Sequence, residues 1–382
     1  MQFNFHSTAS IIVKSGGSTS LAKIIQDRGG KSVLIVTDAG VMAAGLLDKA
    51  LQKFKALNVA VEIYADVQAD PPEHVIYAAV EIGRACRADF VVGFGGGSSM
   101  DVAKLVALLM PGQETLAEAY GVEVAKGPRL PLILVPTTAG TGSEVTKSSV
   151  VTVSEGEKKV VISPLLLPDV ALLDAELTLG LPSHVTAATG IDAMVHAIEA
   201  FTTKRLKNPL SDCLAKEALR LLAGNLYQVV ESGKNVVARE NMLLGACLAG
   251  MAFTNAAVAA VHGLAYPIGA RFHVPHGLSN SLVLGPVMRF NLDAAHQQYA
   301  ELGQIIKPGL QGSTYEQASQ LTDYLSNLAS ELGLPKRLTE VGITAADVDQ
   351  LASDAMLQSR LLLNNPREIT LNDAVAIYSE AL

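Results

Sequence analysis

Asp89-Phe90-Val91-Val92-Gly93-Phe94-Gly95-Gly96-Gly97-Ser98-Ser99-Met100-Asp101 runs from a strand through a turn into a helix. Residues 90–94 form an unbroken apolar run, the pattern of a strand covered on both faces, and such strands belong to parallel sheets flanked by helices. Similar runs occur at 32–38, 60–64 and 131–136, with helical periodicity at 72–87 and 99–109 between them. The first half therefore reads as an α/β domain with a parallel, Rossmann-like sheet. Ligands of such sheets gather at the carboxyl ends of the strands.

Three features fall at those ends. The glycines Gly95, Gly96 and Gly97, followed by Ser98, let backbone N–H groups approach a phosphate at the positive end of the next helix. A tight turn is the alternative, because the run is neither GxGxxG nor a Walker loop. The second feature is Pro136-Thr137-Thr138-Ala139-Gly140-Thr141-Gly142-Ser143-Glu144, whose hydroxyls and glycines suit a polar ligand or a capped loop. Asp38 is the third. A carboxylate closing a strand accepts hydrogen bonds from a ribose and repels a 2′-phosphate, favouring NAD over NADP; an ordinary turn Asp reads the same.

Beyond residue 180 strand-like runs largely vanish, so we expect an α/β dinucleotide-binding domain over 1–180 and an all-α domain over 181–382. Helical periodicity covers 183–203, 210–231, 239–260 and 313–332. The first of these contains Thr189-Gly190-Ile191-Asp192-Ala193-Met194-Val195-His196-Ala197-Ile198-Glu199-Ala200, which sets Asp192 and His196 four apart on one helical face. Val261-His262-Gly263 and Pro275-His276-Gly277 supply two further imidazoles beside glycines, where backbone can come close to a bound group. One Asp and three His form a nitrogen and oxygen donor set suited to Fe(II) or Zn(II), without the thiolates of a structural zinc. Singly, each has a plainer reading as a helical ion pair or a core histidine. With the glycine loops in one half and these donors in the other, a catalytic cleft between domains is expected.

The composition bounds the rest. With 382 residues and 49% apolar content the chain can bury a large interior in two domains. A formal net charge of −8 without a basic run argues against nucleic acid. Cys86, Cys213 and Cys247 show no CxxC spacing and read as free thiols in a reducing, cytoplasmic setting; the N-terminus lacks the pattern of a secretory signal. Residues 241–270 carry no charge, but their Asn, Thr, His, Pro, Gly and Ala content suits a buried helix better than a membrane span.

Taken in order, Gly95-Gly96-Gly97-Ser98 with Asp101, the 136–141 loop, Gly190-Ile191-Asp192 with His196, His262-Gly263 and Pro275-His276-Gly277 resemble the iron-containing (group III) alcohol dehydrogenase family over essentially the whole chain. The pattern is most similar to lactaldehyde and 1,3-propanediol reductases. The resemblance implies a dehydroquinate synthase-like fold and a catalytic metal, iron or zinc, on Asp192, His196, His262 and His276. It implies NAD bound by Asp38, Gly96, Gly97, Ser98, Asp101, Thr137, Thr138, Thr141 and Lys159. It further implies reversible hydride transfer between NAD and a small primary alcohol or diol, in a homodimer or larger homo-oligomer. Two positions depart from the family pattern: Asp70-Pro71 replaces Asn-Pro, which bears on Asp70 as a cofactor contact, and Tyr266 precedes Pro267 where many members carry a proton-relaying histidine. Tyr266, the ribose hydroxyls with water, or His273 remain for that proton. Phe253 reads as pocket wall or core. A rival in the same architecture is a dehydroquinate-synthase-like lyase, which needs a cationic pocket; Arg271 is the nearest cation to the donor motifs.

Overall fold

The computed structural model describes residues 2–112, 114–154 and 157–382. His6–Gly180 form one compact unit and Leu181–Leu382 the other, with the chain before His6 grouping with the second.

The first unit contains strands β1 (Ile11–Val13), β2 (Ser32–Val36), β3 (Ala60–Tyr64), β4 (Phe90–Gly95), β5 (Gly121–Val122), β6 (Leu132–Pro136), β7 (Ser148–Ser154), β8 (Glu157–Ile162) and β9 (Val170–Leu173), and helices α1 (Leu21–Asp27), α2 (Ala39–Ala43), α3 (Asp48–Ala56), α4 (Glu73–Ala85), α5 (Gly97–Leu109) and α6 (Leu116–Ala119). Six strands pair in the order β1-β9-β6-β4-β2-β3, all parallel. Every residue of β4 and β6 is buried, which is why their sequences are apolar without alternation; β3, at the edge, exposes Ala60 and Glu62.

The pleat sends alternate residues to opposite faces. Leu34, Val36, Val91 and Leu134 pack with Ile76 of α4 and Val102 and Val106 of α5. Val33, Ile35, Val92, Phe94 and Ile133 pack with Leu21 and Ile25 of α1 and Phe54 of α3. Each such side chain, fully buried, contributes about 1.5–3 kcal/mol. The register, with Val36 beside Gly93 and Gly95 beside Pro136, brings Asp38, Gly96 and Thr137 together beyond the strand ends.

A smaller sheet, β5-β8-β7, contains an antiparallel pair, β7 with β8. The sequence reading found no strand there: the polar-rich run Ser148-Ser149-Val150-Val151-Thr152-Val153 lacks the continuous apolar signal of the parallel strands.

The second unit is helical: α7 (Ser183–Thr202), α8 (Pro209–Glu231), α9 (Val236–Ala256), α10 (Ala260–Phe272), α11 (His276–Ile306), α12 (Thr314–Glu331), α13 (Val348–Met356), α14 (Ser359–Leu362) and α15 (Leu371–Ala381). α7 is its axis, buried along most of its length and packed against α8, α9 and α11. Gly190 makes the approach of its neighbours close, since a Cβ there would stand 2.5 Å from Leu226 Cδ1. Polar caps set the starts: Asn208 accepts from Ser211 N ahead of Pro209, and Ser313 with Glu316 closes a capping box on α12.

The 239–260 periodicity does not yield one helix. α9 stops at Ala256, and α10 begins at Ala260 after Ala257 swings to φ 68°. By length and composition α9 could cross a membrane; 56% of its apolar window is buried, and it packs on α7 and α8.

Candidate metal centre and dinucleotide cavity

Asp192 and His196 sit one turn apart on the buried length of α7, His262 lies in the first turn of α10, and His276 opens α11. One donor atom from each falls within 4.8 Å of the other three. Asp192 Oδ1 is 3.5 Å from His276 Nε2 and 3.8 Å from His262 Nε2. Four donors at about 2.1 Å from one ion in a tetrahedral array stand roughly 3.4 Å apart, close to the 3.5 Å and 3.8 Å between Asp192 and the two later histidines. Asp192, His196 and His262 are buried, whereas the His276 side chain is 41% exposed. The set is therefore open on one side, as a catalytic metal site requires and a structural one does not.

Burial alone would push the Asp192 carboxyl up, but the imidazoles of His196, His276 and His262 and the Asn280 amide hold it below the ordinary value. Aromatic packing fixes the rings. His196 stacks on Phe253 at 4.3 Å between centroids and on His262 at 4.6 Å; Tyr266 lies 5.9 Å from His276 and 6.4 Å from His262. Tyr266 thus borders the centre; His273 is the exposed, left-handed residue that ends α10.

Two residues that the sequence reading did not assign hold the donors. Asn280 donates its amide to Asp192 Oδ1 at 2.6 Å and stands 3.2 Å and 3.3 Å from the Nε2 atoms of His262 and His276. Glu199 accepts from His262 Nδ1 at 2.7 Å. Their signals were faint but present: Asn280 follows His276 by one helical turn, and Glu199 is a carboxylate in an otherwise apolar turn, seven after Asp192.

In the sheet unit a cavity of about 360 Å³ lies at the carboxyl ends of β2, β3 and β4, between residues 38–40, 67–69 and 96–99. Asp38 caps α2 by accepting from Val41 N at 3.0 Å and accepts from Ser99 Oγ at 3.1 Å. Gly95, at φ 157°, has no room for a side chain: a Cβ would meet Ser99 Oγ at 2.7 Å. Gly97 starts α5, whose first N–H groups have no intrahelical partner. A Cβ on Gly97 would meet Thr141 Cγ2 at 2.9 Å, and one on Gly96 would stand 3.9 Å from Thr138 Oγ1, so the two loops lie against each other. Thr137, buried, donates its N–H to Gly95 O at 3.0 Å.

Other residues read as cofactor contacts lie outside this cavity. Asp70 pairs with Lys158 at 2.5 Å, and the Lys159 ammonium sits 5.4 Å over the Tyr120 ring. Asp101 turns its carboxylate to Ser143 Oγ at 2.6 Å and Val150 N at 3.0 Å. Beside it the fully buried Lys104 donates to Ser143 Oγ, Thr146 Oγ1 and Ser148 O, so α5 is clamped to the end of the threonine-rich loop. Conversely, residues 67–69 line the cavity although nothing in their sequence marked them.

Comparison with known proteins decides the family. Residues 8–175 match the family described as iron-containing alcohol dehydrogenase, and residues 186–382 match its C-terminal region, described as Fe-containing alcohol dehydrogenase family, C-terminal. The chain belongs to the iron-containing alcohol dehydrogenases. The long-chain-alcohol dehydrogenase 1 of Geobacillus thermodenitrificans (strain NG80-2) is 38% identical over 370 residues, spanning 96% of this chain and 93% of that protein. A crystal structure of 1,3-propanediol oxidoreductase superposes with a TM-score of 0.96 at 33% identity and full coverage of both chains. Sulfoacetaldehyde reductase from Bifidobacterium kashiwanohense, solved in complex with NAD+, superposes with a TM-score of 0.89 at 30% identity, covering 100% of this chain and 99% of that one. For an iron-containing alcohol dehydrogenase the Asp-His-His-His set has the expected chemistry: oxygen and imidazole donors, no thiolate, and one side open.

Proposed function

We propose that this chain interconverts a small primary alcohol or diol and its aldehyde, using NAD and an Fe(II) ion held by Asp192, His196, His262 and His276. The convergence of those four donors, three of them buried and His276 exposed, carries the reading. Bound there, the ion supplies Lewis acidity, which lowers the pKa of an alcohol and polarises a carbonyl oxygen. NAD supplies the hydride acceptor. Zinc suits the same donors, and the Irving–Williams order favours it where supply allows.

The chain's own residues do the rest. The first N–H groups of α5, at Gly97, Ser98 and Ser99, hold the cofactor phosphates, with Thr137, Thr138 and Thr141 on the facing loop. Asp38 accepts from the adenosine ribose and disfavours a 2′-phosphate. Asp101, whose carboxylate accepts from Ser143 Oγ and the 150 backbone N–H, shapes the threonine-rich loop on the cofactor side. Asp70 and Lys159, from the strand-bearing unit, are assigned to the outer part of the dinucleotide. Phe253 presents an apolar wall against His196, and Tyr266, whose ring lies 5.9 Å from that of His276, passes the alcohol proton on.

The lyase alternative needs a cationic pocket, and Arg271 is spent on an ion pair with Asp354. Cytoplasmic residence, suited to cysteines that form no disulfide among the described residues, and a homodimer or larger homo-oligomer complete the reading. Elemental analysis of anaerobically purified protein, with short-chain alcohols and diols assayed against NAD and NADP, tests it. Metal-replete protein that reduces NAD with none of them would overturn the reading; sedimentation gives the assembly state.

A further inference from the structure

Glu199 is 4% exposed and lies on the α7 face that carries Asp192 and His196. Its carboxylate accepts from Val261 N on Oε1 at 2.6 Å, and on Oε2 from Ala259 N at 2.9 Å and the His262 ring at 2.7 Å. With both oxygens already accepting from backbone N–H groups, the imidazole must donate the third bond, so His262 carries its proton on Nδ1. Its lone pair at Nε2 then faces the other donors, where the Asn280 amide stands 3.2 Å away.

The same carboxylate grips a strained piece of backbone. Between α9 and α10, Ala257 has φ 68° and ψ 159°, a conformation that penalises any residue with a Cβ. Glu199 binds the two amides that follow, at Ala259 and Val261, and the Asn364 amide donates to Val258 O at 3.0 Å. The turn held in this way delivers Phe253 from one side and His262 from the other.

We infer that Glu199 is the positioning residue of the metal centre: it selects the His262 tautomer that offers Nε2 and anchors the strained turn, so the donor set is formed before the ion arrives. The inference rests on the reading that Asp192, His196, His262 and His276 hold the ion. A carboxylate behind a ligating imidazole typically changes metal affinity ten- to a hundredfold.

The test uses full-length apo-protein titrated with Co2+ or Zn2+ against a competing chelator, with the Co2+ absorption spectrum and the apo melting temperature as further readouts. Glu199→Gln keeps the shape but faces an N–H with an amide donor, either at Val261 or at the Ala259 and His262 pair. It is expected to weaken metal binding at least tenfold, alter the Co2+ spectrum, lower the apo melting temperature and leave NAD affinity unchanged. Adding Ala257→Gly relieves the backbone, so the double variant should regain melting temperature while its metal affinity stays low. Native affinity in Glu199→Gln, or recovery of affinity together with stability in the double variant, would overturn the positioning role. A native chain that takes up neither ion would overturn the reading of the site itself.

Discussion

Gly277 packs directly on the backbone of Ala188: a Cβ at 277 would come within 2.5 Å of the Ala188 carbonyl oxygen and 3.3 Å of Asp192 Cβ. The glycine after His276 therefore serves helix packing, letting the start of α11 close on α7 so that His276 reaches Asp192. Because the obstructing atom is helix backbone, it cannot swing aside. Gly277→Ala should cost about 1–3 kcal/mol in stability and release the bound metal. A denaturation midpoint with parallel metal analysis checks both; native metal content in a destabilised variant would separate the packing from the site.

Asn280 supplies the hydrogen bond to buried Asp192, and its own Oδ1 has no hydrogen-bond partner. Asn280→Ala should therefore destabilise the apo-protein by about 1–3 kcal/mol, the usual cost of an unsatisfied buried polar group. Part of that loss should return on adding Zn2+, since the ion then satisfies the carboxylate. Equal destabilisation with and without metal, read from paired melting curves, would contradict this.

The parallel sheet was legible because a strand covered on both faces must be apolar throughout, as β4 and β6 are. The convergence of Asp192, His196, His262 and His276 was legible for a different reason: Asp192 and His196 follow helical spacing, and each later histidine stands beside a glycine, although those glycines serve packing, Gly277 against Ala188 and Gly263 against Leu362. Glu199 and Asn280 left only faint signals, since the partners that define them, His262 and Asp192, lie 63 and 88 residues away and the packed helices bring them together. The break at Ala257 was hidden because alanine is an ordinary helix former, and its strained conformation is imposed by tertiary contacts. Residues 67–69 escaped for want of any distinctive chemistry; they line the cavity because β3 ends beside β2.

Burial pushes the Glu144 carboxyl up to about 7, against the lowering pull of a backbone hydrogen bond and the Lys104 ammonium. A folded-state pKa above the unfolded value favours the protonated form. Its contribution is fully present below about 4.5 and is lost as pH rises through about 7, amounting to on the order of 3 kcal/mol. Glu144→Gln cannot ionise, so it should match the native protein at pH about 4.5 and exceed it in stability at pH about 8. Denaturant midpoints across that range decide the matter, and curves that fall in parallel would remove Glu144 as the cause.

Metal and dinucleotide binding should fail separately, because their residues belong to different units of the chain. Stripping the ion with a chelator should abolish turnover while NAD still binds, as should His262→Ala. Gly97→Ala should do the reverse. Its new Cβ meets Thr141 Cγ2 at 2.9 Å, pushing the threonine loop from the first N–H groups of α5. The obstruction is a side chain that can rotate, so the loss should be moderate, about tenfold in NAD affinity or roughly 1.4 kcal/mol. Metal content should stay native in that variant. Calorimetric NAD titration of the native, metal-stripped and Gly97→Ala proteins separates the two functions; if metal loss also removed NAD binding, the division of labour would be wrong.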